Sequence, residues 1–182
     1  IHSLSAKAKG SLGGIGIAFP SIVDSEEMKI LSRYVKYTDA HDLDLSGWIT
    51  DRFEVPLVIE NDARAALIGE WQYGAGRNLS DLVLITLGTG VGTAVLLNGR
   101  LLKGRHFFAG NLGGHMTINL NGRECNCGNI GCVETEGSSW SLGQILNDHI
   151  RLSGIENTIA PAEIDFETVF KKAKASDEVF IA

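Results

Sequence analysis

The sequence predicts an α/β fold with a mixed sheet, and three observations support this class. Short apolar runs rich in β-branched residues alternate with segments whose apolar residues recur at helical spacing. Asn98-Gly99 follows one such run and is the strongest two-residue hairpin signal in the chain. The composition, 44% hydrophobic and 21% charged, is ordinary for a soluble globular protein. Strands joined by helices and by hairpins fit a sheet with parallel and antiparallel pairs.

The first half of the chain is predicted to contain two buried strands and one long helix. Its elements are a strand at 12–19, a loop with short elements at 25–47, a helical turn or two at 48–53, a strand at 55–59 and a helix at 63–73. Pro20 ends the first strand. Apolar residues at 63, 66, 67 and 71 give the long helix its spacing.

The second half opens with GAGRNLSD (74–81), which is rich in turn residues and which we interpret as a hinge or linker. The elements expected after it are strands at 82–87 and 92–97, a glycine-rich segment at 104–137, and helices at 139–152 and 166–175. The glycine-rich segment carries all 3 cysteines of the chain, so metal chemistry is most expected there.

Charge and hydropathy argue against two classes of partner. The net charge is −6 and no Lys/Arg run stands out, which argues against a nucleic-acid-binding surface in these residues. No apolar run is long enough to span a bilayer and no signal peptide is visible, so we expect no membrane partner. The chain opens at Ile1 rather than at Met, and we expect it to be part of a longer protein.

Glu60-Asn61-Asp62 lies where a buried strand gives way to the long helix. In one interpretation Asn61 or Asp62 caps the helix, as both residue types do well. In the other, a carboxylate outside the carboxyl end of a strand faces a ligand and takes a proton from a substrate hydroxyl. The spacing alone favours the cap and leaves the catalytic interpretation open.

The segment Gly88-Thr89-Gly90-Val91-Gly92 has a glycine at every second position. Such a segment lets backbone N–H groups approach a phosphate, and Thr89 would add a hydroxyl donor. The alternative is a glycine-rich turn between the two strands of a hairpin. The segment is not a P-loop, because no Gly-Lys-Ser/Thr follows it.

Cys125, Cys127 and Cys132 are close together in the sequence, and His115 precedes them by ten residues. Three thiolates and one imidazole make a tetrahedral structural zinc site. An odd number of clustered cysteines fits a metal site in a reducing compartment better than a disulfide framework. Three free thiols, or one strained bridge with a spare cysteine, are the alternatives. Glu134 is either held rigidly by this cluster or is a solvated loop carboxylate.

These segments together resemble the ROK family (repressors, open reading frames and kinases), and they occur in the order found in that family. The matching segments are GIAFPSIVD (16–24), ENDARAALIGE (60–70), LITLGTGVGTAVLLNGRLLKG (84–104), and AGNLGGHMTI (109–118) followed by CNCGNIGCVE (125–134). The first is similar to the family's Gly-x-x-x-Pro-Gly-x-Val-Asp loop, with Ser21 in place of a glycine. The cysteine segment is the most specific.

The resemblance implies an actin-like, ribonuclease H-like ATPase fold with two lobes around a cleft. Residues 1–79 would be the remainder of the small lobe, and 80–182 would open the large lobe. The family's N-terminal phosphate loop and its C-terminal adenosine loop are absent from these residues. The resemblance also implies a cytoplasmic homo-oligomer, either a dimer or a tetramer.

The activity that the resemblance implies is the ATP-dependent phosphorylation of a hexose or N-acylhexosamine. Asp62 would be the general base that deprotonates the sugar hydroxyl, and Asn61 would hydrogen-bond the sugar. Gly88, Thr89 and Gly90 would contact the ATP phosphates, with Mg²⁺ bridging them.

The resemblance assigns the second group of residues to a structural Zn²⁺ site beside the sugar. His115 would bind zinc through one ring nitrogen and a sugar hydroxyl through the other. Cys125, Cys127 and Cys132 would complete the zinc site, and Glu134 would bind the sugar.

The sequence departs from the family at one sugar contact. The family has a Glu three residues before the zinc-binding His, whereas here Asn111 stands four before His115 and no carboxylate is present. Two other functions therefore compete with a kinase. One is the sugar-sensing domain of a ROK transcriptional repressor, and the other is a zinc-stabilised sugar-binding module without catalysis.

Overall fold

The computed structural model describes residues 11–33, 37–154 and 164–175. The chain divides into two compact units. Unit 1 comprises the residues up to Leu84 together with Ala94–Asn111, and unit 2 comprises Ile85–Thr93 and the residues from Leu112 onwards. The predicted lobe boundary after residue 79 stays a prediction.

A short parallel sheet lies at the centre of unit 1. β1 (Ile15–Phe19) pairs with β4 (Leu57–Asn61) in a register that places Phe19 opposite Asn61. The two strands predicted in the first half of the chain are therefore confirmed. Between them lie a small antiparallel pair, β2 (Val23–Asp24) and β3 (Lys29–Ile30).

The helix α1 (Leu45–Phe53) starts three residues before the predicted helical turn at 48–53. Asp44 caps it by accepting a hydrogen bond from Gly47 N, which sets the start of the helix. Its buried residue, Ile49, packs in a cluster with Val23, Leu57 and Ile59. This cluster fixes the position of β4, which ends at the first candidate site residue.

The long helix α2 (Asp62–Tyr73) begins directly where β4 ends, as predicted within one residue. Its buried residues Ala63 and Leu67 pack against Ala94 and Leu96 in a second cluster. The helix is thus held on its inner side by strand residues, which keeps its N-terminus in one place.

Three strands form the second sheet, in the order β5 (Leu82–Leu87), β6 (Val91–Leu97) and β7 (Arg100–Leu101). The predicted Asn98-Gly99 hairpin is confirmed. The two turn residues have φ of 50° and 70°, the left-handed conformation that a two-residue turn of this type requires. The boundary between the two units falls within β5 and β6.

Unit 2 contains a 3₁₀ turn at Gly113–His115 and the helices α3 (Val133–Gly137), α4 (Leu142–Ser153) and α5 (Phe166–Lys174). The last two confirm the predicted helices, although α4 starts at 142 because residues 139–141 form a turn. Leu146 and Ile164 form a buried cluster of their own. No helix in the described part of the chain is long and apolar enough to cross a bilayer.

Candidate functional site

Asn61 is the N-cap of α2, so the capping interpretation of this position is confirmed. Its Oδ1 accepts a hydrogen bond from Arg64 N at 3.1 Å, and its Nδ2 donates to Ser21 O and to Asp62 Oδ1, each at 3.1 Å. The side chain is buried and its donors and acceptor are used within the protein. Asn61 therefore has one fixed orientation at the end of β4.

Asp62 is the first residue of α2 and its side chain is exposed. Oδ1 accepts hydrogen bonds from Asn61 Nδ2 at 3.1 Å and from Ala63 N at 2.8 Å. Both of these bonds end on Oδ1, so they orient the carboxylate without using Oδ2. A carboxylate at a helix N-terminus is also stabilised by the helix dipole.

A buried ionic network that sequence reasoning missed lies next to these two residues. Glu60 is only 8% exposed, and its Oε1 accepts a hydrogen bond from Asn61 N at 2.9 Å. The same carboxylate lies 3.6 Å from Arg64 Nη1 and 3.1 Å from Lys103 Nζ. Burial lowers the pKa of Arg64 from its ordinary value, and the charge of Glu60 opposes that shift. Because arginine titrates so high, the network still carries two cations on one anion.

The glycine segment 88–92 forms the connection between β5 and β6, and all of it belongs to unit 2. Its backbone is held by residues that follow α3. Gly88 O accepts a hydrogen bond from Ser139 N at 2.9 Å, and Thr89 O accepts one from Trp140 N at 3.4 Å. Thr89 itself is exposed. Both interpretations stand, since a turn between two strands can also present N–H groups to a phosphate.

Glu134 contacts this same segment, and its description as a solvated loop carboxylate is wrong. It lies in α3, is only partly exposed, and its Oε2 accepts a hydrogen bond from Val91 N at 2.9 Å. A Cβ at Gly90 would overlap Glu134 Oε2, so a larger residue at this position would displace the Glu134 carboxylate. The two predicted contacts, Gly90 with ATP and Glu134 with the sugar, are thus neighbours in unit 2.

The predicted metal ligands are brought together. One donor atom from each of His115, Cys125, Cys127 and Cys132 lies within 4.8 Å of every other. All three cysteines are free, which excludes the strained bridge. Cys127 Sγ and Cys132 Sγ are 3.8 Å apart, and Cys125 Sγ is 3.6 Å from His115 Nδ1.

These distances fit a tetrahedral zinc ion. Bonds of about 2.3 Å to sulfur and about 2.05 Å to nitrogen at tetrahedral angles put two sulfurs about 3.8 Å apart, and a sulfur and a nitrogen about 3.6 Å apart. A disulfide would instead bring two sulfurs to about 2.05 Å. The donor set is the three-thiolate, one-imidazole type that zinc favours, and Nδ1 is the ring nitrogen of His115 on the thiol side.

The pKa shifts of the three thiols also favour a bound cation. Burial raises the pKa of Cys125 to about 12 and raises that of Cys132. Burial opposes ionisation of Cys127 too, but hydrogen bonds from the Asn129 backbone and from the other two cysteines lower its pKa. Without a metal, one thiolate is therefore stabilised by two neighbouring thiols, and a cation is what would favour all three thiolates.

The backbone around the cluster is irregular and tightly turned. Thr117 pairs with Cys132, and Glu124 pairs with Ile130, each as an isolated antiparallel bridge. Gly131 has φ of 64°, and a Cβ there would overlap Asn119 O. Only glycine allows this close approach, which brings Cys132 back towards His115.

The structure therefore shows two groups of candidate residues. Asn61 and Asp62 belong to unit 1, together with Glu60 and its cations. Unit 2 holds the glycine segment, Glu134 and the four metal ligands. Within each unit, the residues that the sequence singled out lie close to one another.

Comparison with known proteins identifies the family. The ROK family profile matches residues 1–181. The xylose repressor of Bacillus spizizenii is 39% identical over 129 residues, which is 71% of this chain and 33% of the repressor. The glucokinase of Halalkalibacterium halodurans is 31% identical over 179 residues, which is 94% of this chain and 52% of the enzyme.

Solved structures give the same result. A ROK family transcriptional regulator, a homologue of the E. coli MLC protein, has a TM-score of 0.80 at 30% identity, covering 98% of this chain and 44% of the regulator. A ROK family glucokinase from Streptomyces griseus, in complex with glucose and AMPPNP, has a TM-score of 0.73 at 27% identity, covering 94% of this chain and 56% of the enzyme. The predicted α/β, actin-like ATPase fold is thereby confirmed.

Kinases and regulators both occur among these relatives, and the chain spans between a third and about half of the length of each. The match to the family profile extends over nearly all residues, and the cluster of one histidine and three cysteines fits the family's zinc signature. This chain belongs to the ROK family.

Proposed function

We propose that the full-length protein is an ATP-dependent kinase that phosphorylates a hydroxyl of a hexose or an N-acylhexosamine. The observation that carries this proposal is Asp62, an exposed carboxylate held in one orientation at the end of β4 by Asn61 and by Ala63 N. A general base must be positioned within hydrogen-bond reach of the hydroxyl that it deprotonates. Glucokinases from Halalkalibacterium halodurans and Thermotoga maritima, at 31% and 33% identity, support the same reaction class.

In this proposal the sugar hydroxyl lies against Asp62 Oδ2, because the two internal hydrogen bonds both end on Oδ1. As the hydroxyl oxygen attacks the γ-phosphorus of ATP, its proton passes to Oδ2 and ADP leaves. Gly88, Thr89 and Gly90 would bind the phosphates through backbone N–H groups and the Thr89 hydroxyl. ATP would enter with Mg²⁺, which would supply charge neutralisation for the transferring group.

The metal cluster has a positioning role in this proposal. His115, Cys125, Cys127 and Cys132 would hold a zinc ion, which would fix the imidazole and the loop without activating water. Because Nδ1 of His115 lies on the thiol side, Nε2 is the nitrogen that would meet a sugar hydroxyl. Glu134, held by Val91 N, would accept a hydrogen bond from another sugar hydroxyl. We place the protein in the cytoplasm, because free clustered thiols suit a reducing compartment. The family resemblance is the support for a homo-oligomer.

A second candidate function has its own support. Xylose repressors of two Bacillus species are 39% and 38% identical to this chain over 129 residues, above the identity of the glucokinases. No carboxylate replaces the family's glutamate near Asn111. In this second proposal the same residues bind a sugar as an effector of a transcriptional regulator, and no phosphate is transferred.

The test is a coupled assay of ADP release with the full-length protein and a panel of hexoses, pentoses and N-acylhexosamines. Asp62→Asn keeps the size and the Oδ1 acceptor of the side chain but removes the base. A kinase should lose about 10²–10⁴-fold in turnover while its sugar affinity changes little. Asp51→Asn, at an exposed position of α1, is the matched control and should retain full turnover.

The two candidates give different results in this assay. Sugar-dependent ADP release that is lost in Asp62→Asn establishes the kinase, and the best substrate identifies the sugar. Calorimetric sugar binding without ADP release from the zinc-loaded wild type contradicts the kinase and supports a sensor or a sugar-binding module without catalysis. A folded, zinc-loaded protein that binds no sugar in the panel contradicts both.

A further inference from the structure

Arg64 lies in the first turn of α2, two residues after Asp62. Its side chain is 1% exposed. Nη2 donates to three backbone carbonyls, those of Phe107 and Ala109 at 2.9 Å each and that of Leu102 at 3.4 Å. One guanidinium therefore gathers three carbonyls from a single segment of eight residues, 102–109.

That segment has no regular secondary structure to hold it. Phe107 has φ of 61°, a conformation that is costly for an aromatic residue, and Gly104 has φ of 66°. Few backbone hydrogen bonds lie within the segment; one of them runs from Ala109 N to Lys103 O at 3.1 Å. Because the carbonyl of the strained Phe107 is one of the three acceptors, Arg64 compensates the strain where it arises.

The segment is also tied to the catalytic-base motif by charge. Glu60 joins Arg64 and Lys103 on one carboxylate and accepts the hydrogen bond from Asn61 N. Lys103 further contacts the Ser25 hydroxyl, in the turn between β2 and β3. A displacement of 102–109 would therefore disturb Glu60, whose carboxylate accepts the hydrogen bond from Asn61 N.

Asn111 lies two residues after the end of the segment 102–109. Its Oδ1 is buried and has no hydrogen-bond partner among the residues that the structure describes. A buried acceptor of this kind costs free energy unless it is satisfied, and a ligand hydroxyl would satisfy it. Asn111 N donates to Phe108 O at 3.2 Å, so the position of Asn111 depends on the segment that Arg64 holds.

We propose that Arg64 is a positioning residue for the sugar site: it holds 102–109 in the conformation that sets Asn111 and the Asn61–Asp62 pair for the ligand. This inference rests on the proposed function, in which that pair meets the sugar. A buried arginine is a poor choice for stability alone, because an apolar residue of similar volume often serves as well. Its value here lies in two contacts made at once: Nη2 holds the three carbonyls, and Nη1 lies 3.6 Å from the Glu60 carboxylate.

The experiment compares full-length, zinc-loaded wild type with Arg64→Met, Arg64→Lys and the control Arg77→Met, which lies on an exposed turn. Calorimetry measures the binding of D-glucose, D-xylose and N-acetyl-D-glucosamine, and hydrogen exchange measures the protection of 102–111. We expect Arg64→Met to bind at least about tenfold more weakly and to lose protection in that segment, with zinc content unchanged. Arg64→Lys should fall between Arg64→Met and wild type, and Arg77→Met should match wild type.

The affinity and the protection of the variants together test the role of Arg64. An Arg64→Met protein that loses protection but keeps wild-type affinity overturns the inference and shows a purely structural arginine. Should Arg64→Met fail to fold, Arg64→Lys takes its place, and wild-type affinity in that variant has the same meaning. A wild type that binds none of the sugars contradicts the proposed function instead, and the inference falls with it.

Discussion

Unit 1 and unit 2 hold their candidate residues in different ways. Around Asn61 and Asp62, protein groups hold one another: a cap, a buried carboxylate and two cations, supported by two apolar clusters. Around His115, four donor atoms converge within 4.8 Å of one another, and the usual partner of such a donor set is a cation. The first arrangement is held by contacts within the protein, whereas the second has the donors of a metal site.

The distribution of apolar residues explains the difference. Between Leu112 and Ser141 the only buried apolar residues are Cys125 and Cys132. Five larger apolar side chains of that stretch are exposed; they are Leu112, Met116, Ile118, Leu120 and Ile130. A segment with so little buried apolar surface needs another source of stability, which a structural zinc ion would supply.

The largest effect should come from breaking this metal centre. Cys132→Ser removes a fully buried ligand, so we expect the protein to lose its stoichiometric zinc and the segment 112–132 to lose protection from hydrogen exchange. The strands β1 and β4 should keep theirs, because their core contains no metal ligand. Asn126→Ser, on the exposed part of the same loop, is the control. Loss of protection throughout both units would show that the two regions are not independent.

Zinc affinity should also depend steeply on pH. Burial raises the pKa of Cys125 to about 12 and raises that of Cys132, so zinc must displace protons from these thiols at neutral pH. Affinity therefore rises with pH and falls as acid is added, roughly tenfold per pH unit for each thiol proton displaced. Competition with a chromogenic chelator between mildly acidic and mildly alkaline pH measures the slope. A flat profile would mean that the thiols are already ionised in the metal-free protein.

A cavity in the core of unit 1 tests the other half of the comparison. Ile59 is fully buried in the cluster that fixes β4. Ile59→Ala should cost about 2–5 kcal/mol of unfolding free energy, the usual range for such a truncation. Zinc content should not change. Chemical denaturation of full-length protein followed by zinc analysis measures both, and a matched loss of zinc would contradict the separate support of the two regions. Val58→Ala, on the exposed side of the same strand, is the control.

How much the sequence predicts depends on the distance along the chain between the interacting residues. The Asn98-Gly99 turn, the helix after Asp62 and the cysteine cluster were all predictable, because each depends on residues within a short window. Arg64 contacts carbonyls 38 to 45 residues away, and Glu134 meets Val91 across 43 residues. Neither contact has a local pattern. One signal was present: Glu60 and Arg64 stand on either side of the junction between a buried strand and a helix, and buried charges of opposite sign are usually paired.

The smallest expected effect concerns Asn61, where a structural and a functional role coincide. Asn61→Ala removes the cap of α2, and loss of such a cap costs about 1 kcal/mol of unfolding free energy. The same change frees Asp62 Oδ1 from its 3.1 Å bond to Asn61 Nδ2, so the carboxylate loses its fixed orientation. Asn61→Asp keeps a capping oxygen but places its second oxygen against Ser21 O and Asp62 Oδ1, so it should recover part of the stability without recovering sugar binding. Urea denaturation and calorimetric sugar titration of the two variants separate the roles. Recovery of both properties in Asn61→Asp would show that capping is all that Asn61 does.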